Sequence, residues 1–136
     1  MFNITKFFTT GLKNSVLVRN NGSFSYNGPW TQVYTNTQVA RWHHGEFSGA
    51  EFTISVDFDT DNKELIKCLV CNGVGTVSHT IYGRNNLGNE LVDITTTAND
   101  SHVDLIINPK SGYEGAKFIY SASYYHNQNP LIRWTH

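Results

Sequence analysis

The sequence predicts an all-β fold, a single antiparallel β-sandwich of jelly-roll type with an N-terminal arm, and three observations lead there. From Glu51 to Phe58 apolar and polar residues alternate, so that Phe52, Ile54, Val56 and Phe58 fall on one face and Glu51, Thr53, Ser55 and Asp57 on the other. The same period returns at Val103, Leu105 and Ile107, and again at Ala116, Phe118, Tyr120, Ala122 and Tyr124, so several strands share one buried face. Clusters of Gly, Asn and Asp separate these runs, and aromatic residues reach 13% of the chain, a composition suited to short strands and tight turns rather than helices.

Taken in order, residues 15–19 form a first strand candidate, followed by the turn-forming Asn20-Asn-Gly-Ser23 and a partner strand at 24–26, which together read as a small hairpin. Asn27-Gly-Pro-Trp30 is a second turn, and 31–42 has the Thr, Val and Tyr content of one or two further strands. Near Arg41-Trp-His-His-Gly45 irregular sequence gives way to strict alternation. Residues 1–40 are therefore expected to supply an arm and edge strands of the same unit, and 41–136 the sandwich core with a C-terminal tail. After Phe58, Asp59-Thr-Asp-Asn62 makes a turn into 64–71, a run apolar on both faces that predicts a central strand covered on both sides. Asn72-Gly-Val-Gly75 reverses the chain into a strand at 76–82, and Gly83-Arg-Asn-Asn-Leu-Gly88 is expected to separate it from the strand at 90–97. Asn99-Asp-Ser101 leads into 102–108, the loop 109–115 precedes the last long strand, and 127–136 has no clear period.

At 136 residues the chain fits one domain, able to bury roughly two thirds of its unfolded surface without disulfides or metals. Charged residues are 15% and the net charge is −1, so nothing in the balance favours long-range attraction to nucleic acid or to an anionic membrane. No apolar run approaches the ~18 residues of a membrane span. The opening 1–10 lacks the basic start and continuous apolar core of a secretory signal, and two cysteines are too few for a disulfide framework, so cytosolic synthesis with free thiols is expected.

Few residues invite chemistry. Cys68-Leu-Val-Cys71 has the spacing of half a zinc site, but residues three apart on a strand point to opposite faces and a second pair is absent, so two unconnected thiols are expected. His43-His44-Gly-Glu46 offers two imidazoles and a carboxylate for metal binding or acid–base work. Neighbours in an extended chain seldom converge, and a polar loop is the plainer reading. His79 and His102 stand alone in strands. Asp57, Asp59, Asp61 and Glu64 outline a poor calcium loop whose glycine position holds Asn62, which favours a solvated turn. No catalytic, cofactor or metal site is expected. The aromatics Trp30, Tyr34, Trp42, Tyr82, Tyr113, Tyr124, Tyr125 and Trp134 suit subunit contacts or core better than a sugar platform.

The segments Phe52-Thr-Ile-Ser-Val-Asp-Phe-Asp59, Glu64-Leu-Ile-Lys-Cys-Leu-Val70, Ile81-Tyr-Gly-Arg-Asn85, Leu91-Val-Asp-Ile-Thr95 and Gly115-Ala-Lys-Phe-Ile-Tyr-Ser-Ala-Ser-Tyr124 carry a resemblance over about residues 41–126. They resemble a β-rich domain in virion structural proteins of marine tailed bacteriophages, particularly those infecting cyanobacteria. That resemblance implies a non-enzymatic particle component, assembled in the host cytoplasm, either decorating the capsid or forming part of the tail, neck or baseplate. It implies other virion proteins as partners and a homo-oligomer or symmetric array, while charge, hydropathy and the lack of site motifs point to neither nucleic acid, membrane nor cofactor. The apolar Phe2, Ile4, Phe7 and Phe8, with Leu131, Ile132 and Trp134, are the candidate contact residues, folding back onto the core being the blander alternative. The rival function is a carbohydrate-binding sandwich used in host attachment. Solvent-facing coplanar aromatics would favour it, and burial of Trp42, Tyr82 and Tyr124 would count against it. A hydrolase built on His43, His44 and Glu46 requires those side chains to converge in a cleft.

Overall fold

Alternating sequence becomes strand throughout. The computed structural model describes residues 16–20 and 23–128, with side chains from residue 25 onward, and the regular structure among them is all strand. The strands are β1 (Val16–Asn20), β2 (Ser23–Asn27), β3 (Thr31–Val33), β4 (Thr37–His43), β5 (Phe47–Asp59), β6 (Asn62–Asn72), β7 (Val77–Leu87), β8 (Val92–Ala98), β9 (His102–Pro109) and β10 (Ala116–His126). They pair into two antiparallel sheets. The larger runs β1-β2-β10-β5-β6-β7, with β3 beside the start of β10 on the edge that β2 also uses, and the smaller runs β4-β9-β8. The expected hairpin at the start is present as β1 and β2, and β5, β6 and β7 form a meander.

The sheets pack face to face through the residues that the alternation places on one side. Phe52, Ile54 and Val56 point inward from β5, Phe118, Tyr120 and Tyr124 from β10, and Val103, Leu105 and Ile107 answer from β9. Trp42 on β4 is wholly buried between the layers, its ring 6.0 Å from Phe52 and edge-on to Tyr124 at 5.7 Å. A buried indole needs a partner for its N–H. Asn72 at the end of β6 supplies one, accepting from Trp42 at 2.9 Å while its own amide donates to the Phe47 carbonyl at 3.0 Å.

Three expectations are corrected. The first concerns β6, which lies inside its sheet but, among the described residues, is covered on one face only. Glu64, Ile66, Cys68 and Val70 are buried, whereas Leu65 and Leu69 are 48% and 45% exposed. The apolar outward residues had suggested a second cover, yet the period is plain alternation with leucines on the wet side. The second is Phe58, which leaves the core face because the β5–β6 register shifts between Asp57 and Asp59. As the extra residue of a β-bulge it is turned outward, to 38% exposure, and packs edge-on against Tyr113 at 5.2 Å.

The third correction is the segment 83–88, expected as a connection. Residues Gly83 to Leu87 continue β7, pairing with β6 as far as Leu87 opposite Lys63. Cys68 faces Ile81 and Lys67 faces Gly83, so Tyr82 is an inserted bulge residue. The insertion shifts side-chain parity by one. Val77, His79 and Ile81 lean inward before it, and Arg84 turns inward after it, where it meets the buried Glu64.

Candidate functional site

The histidine corner lies where β4 ends and β9 begins. His43 and His44 have ring centroids 4.6 Å apart, and His102, paired with His43 across the sheet, stands 5.7 Å away. The Gly45 N–H donates to His43 Nδ1 at 2.9 Å, and His44 Nε2 donates to the Asp100 carbonyl at 2.7 Å. Burial, together with the neighbouring His44 and His102, holds His43 below the ordinary imidazole range. Burial also lowers His102, helped by Arg41 and His44 and opposed by Asp104. Two of the three hydrolase candidates are thus brought together. Glu46 is not accessible with them: it is wholly buried, its backbone N–H bonded to the His43 carbonyl and its carbonyl to the Asn127 N–H. Asp104, the next carboxylate along, is occupied by Gln38 and by Arg41 at 2.8 Å. The corner thus gathers His43, His44 and His102 with no free carboxylate beside them among the described residues.

The other sequence candidates disperse. Cys68 is buried and Cys71 exposed, both free, on opposite faces as the strand period requires. Burial pushes the Cys68 thiol up to about 11, so it stays protonated and is a poor metal ligand. Of the acidic run, Asp59 accepts from the Asp61 N–H at 2.9 Å and the Asn62 amide at 2.8 Å, closing the turn. Asp57 pairs with Lys63, and Glu64 turns into the core. Among the described residues no group of three or more His, Cys, Asp or Glu is arranged to hold a metal ion. Phe2, Ile4, Phe7, Phe8, Leu131, Ile132 and Trp134 lie outside the described residues.

What the structure assembles instead is the outer face of the large sheet, and it has two ends. At the first end, strand register aligns Gln32 on β3, Lys117 on β10, Asp57 on β5 and Lys63 on β6 in one row. Lys63 Nζ donates to Asp57 Oδ2 at 3.1 Å. With Phe58, Asp59, Thr60 and Gly115 these four line a groove of about 500 Å³. A depression of about 330 Å³ between Asp57, Lys117 and Trp30 adjoins it, with Trp30 half exposed. Gly115, at φ +95°, lets the chain turn into β10, and its carbonyl accepts from the Gln32 amide at 3.0 Å. A side chain there would meet the exposed Tyr34 ring at 3.5 Å.

At the second end the outer face carries exposed apolar and aromatic side chains among Glu51, Ser78, Thr80 and Ser123. Leu69 and Cys71 on β6, Tyr82 on β7 and Tyr125 on β10 are all exposed, and Gly49 between Tyr125 and Cys71 is packed so close that a Cβ there would meet the Val70 carbonyl at 2.5 Å. Tyr82 reaches across β6 to donate its hydroxyl to Glu51 on β5. The sequence singled out Trp30, Tyr34, Tyr82 and Tyr125, and these are exposed, while Trp42 and Tyr124 are buried in the core. The polar row was missed, because only the strand register brings Gln32, Lys117 and Lys63 to Asp57.

No family model matches the chain, and no curated protein matches it. Two solved structures are similar in part. One is the tailspike protein gp49 of Acinetobacter baumannii bacteriophage Fri1, a capsular polysaccharide depolymerase, at 13% identity and TM-score 0.49 over 97% of this chain and 23% of that one. The other is the tailspike protein of Acinetobacter phage vB_ApiP_P1, at 13% identity and TM-score 0.37 over 88% of this chain and 24% of that one. The chain spans about a quarter of the length of each.

Proposed function

We propose that this protein is a structural component of a tailed-bacteriophage particle of the marine type that its sequence resembles. It acts without catalysis, through protein–protein contacts, as a capsid decoration or a tail, neck or baseplate subunit. The observation that carries the reading is the apolar end of the outer sheet face, where Leu69, Cys71, Tyr82 and Tyr125 are left in water on a broad, otherwise well-packed sandwich. Low net charge limits repulsion between closely spaced copies. The apolar terminal residues Phe2, Ile4, Phe7, Phe8, Leu131, Ile132 and Trp134 add contacts to neighbouring subunits. Antibody-gold labelling of intact particles, with mass spectrometry of their proteins, tests this. Label on head or tail is the expected result and fixes the position, and absence from particles overturns the proposal. Deleting residues 1–10 should leave a folded protein that fails to incorporate, and normal incorporation would remove the arm from the contact set.

A second reading, carbohydrate binding during host attachment, is favoured by one observation. Trp30 and Tyr34 stand in solvent, Trp30 beside the polar groove, and Tyr82 is exposed, whereas the burial of Trp42 and Tyr124 counts against it. Retention of the protein on host-cell polysaccharide in a pull-down supports it, and free passage counts against it.

A further inference from the structure

We infer that the row Gln32, Lys117, Asp57 and Lys63, with Trp30 at its flank, is a binding groove for an uncharged oligosaccharide. This deepens the carbohydrate reading and rests on it. The row crosses four adjacent strands, and at about 4.8 Å per strand it extends about 14 Å, long enough for more than one sugar ring. Along it an amide, an ammonium, a carboxylate and a second ammonium follow one another, so donors and acceptors alternate at the spacing of the strands. A sugar hydroxyl donates and accepts at once and can bridge such neighbours, which an apolar ligand cannot.

Charge narrows the class. Asp57 and Asp59 offset Lys63 and Lys117 within the same lining, so the groove has no excess of either sign to draw a phosphate or a uronate chain. Asp59 is held ionised by the Asn62 and Asp61 donors, which keep its carboxyl below the usual range. Aromatic surface supplies the remaining recognition. Trp30 borders Asp57 and Lys117 and exposes half its surface, and Phe58 lines the groove beyond them. An indole face is apolar and receives the C–H face of a ring while the neighbouring charged groups take its hydroxyls.

The bulge at Phe58 makes this possible. Without the register shift Phe58 would follow Phe52, Ile54 and Val56 into the core and be lost from the groove lining. Beyond Lys63 the surface continues into a depression of about 360 Å³ lined by Ser55, Leu65 and the amides of Asn85 and Asn86. Each depression falls within the roughly 300–1,000 Å³ range of small-molecule sites.

The test is binding of the full chain to a printed array of bacterial and algal oligosaccharides, followed by titration of the best one. The expected result is an uncharged glycan whose affinity falls by about tenfold or more in Trp30→Ala and in Asp57→Asn, the scale of losing one aromatic contact or one charge-assisted hydrogen bond. Circular dichroism of each variant should match the parent, since both side chains lie at the surface. Tyr125→Ala, eight residues along β10 from Lys117, should bind as the parent does. No bound glycan overturns both the groove and the carbohydrate reading. Binding that survives Trp30→Ala and Asp57→Asn overturns the groove alone, and binding confined to acidic glycans overturns the uncharged class.

Discussion

Glu64 is an ionisable residue whose side chain has no exposure, a placement that costs several kcal/mol unless each oxygen is satisfied. Its Oε2 accepts from Arg84, and its Oε1 accepts from the Leu91 N–H at 3.0 Å. Arg84 also donates to the Val92 carbonyl, so one ion pair ties β6, β7 and the start of β8 together. Replacing Arg84 by Met leaves the carboxylate unpaired, and should lower unfolding free energy by about 3–5 kcal/mol in urea titration. Adding Glu64→Leu should recover most of that loss, because it removes the stranded charge. A second effect at this scale concerns His43 and His102, whose folded pKa values lie below the ordinary 6.5. The unfolded chain then binds protons that the folded one refuses. Stability is full above about pH 6.5 and falls as pH drops through that value toward the folded pKa values. Thermal unfolding between pH 7.5 and 5.5 should show a falling midpoint, and His43→Asn with His102→Asn should flatten the slope over that window. An unchanged slope would show that carboxylates govern the acid limb.

Strands β5 and β10 were legible because apolar and polar residues alternate along them, and β9 because Val103, Leu105 and Ile107 keep the period although its other face is only half exposed. β7 was only half legible, since the inserted Tyr82 reverses the phase of everything after it and Gly83-Arg-Asn-Asn then imitates a loop. β6 misled in another way. Leu65 and Leu69 look like core residues, and nothing in a single strand's sequence says whether a second layer lies above it. Substitution separates the two faces directly. Ile66→Ala removes a wholly buried side chain and should cost about 2–5 kcal/mol, whereas Leu65→Ser should stay within about 0.5 kcal/mol. A large loss at Leu65 would mean that something covers this face in solution. The polar groove was illegible for a related reason, since its members are separated by up to 85 positions and meet only through the pairing of β3, β10, β5 and β6.

At the scale of the whole molecule, the small sheet covers one face of the large sheet and, among the described residues, nothing covers the other, and that outer face is divided. Gln32, Lys117, Asp57 and Lys63 make the end nearest the β5–β6 turn polar, and Leu69, Cys71, Tyr82 and Tyr125 give the opposite end exposed apolar and aromatic surface. Along β10, Lys117 and Tyr125 are eight residues apart, about 27 Å at strand spacing, so a partner seated on one end leaves the other open. A particle subunit that must both dock and remain accessible needs such a division. The two ends should therefore fail separately. Leu69→Lys combined with Tyr125→Ala places a charge in the apolar end while altering only exposed side chains, so the variant should unfold at the parent's urea midpoint yet be depleted from particles purified after complementation. Trp30→Ala, at the other end, should incorporate normally. Full incorporation of the Leu69→Lys, Tyr125→Ala variant would mean that docking does not use this face, and the apolar termini would then carry the contact alone.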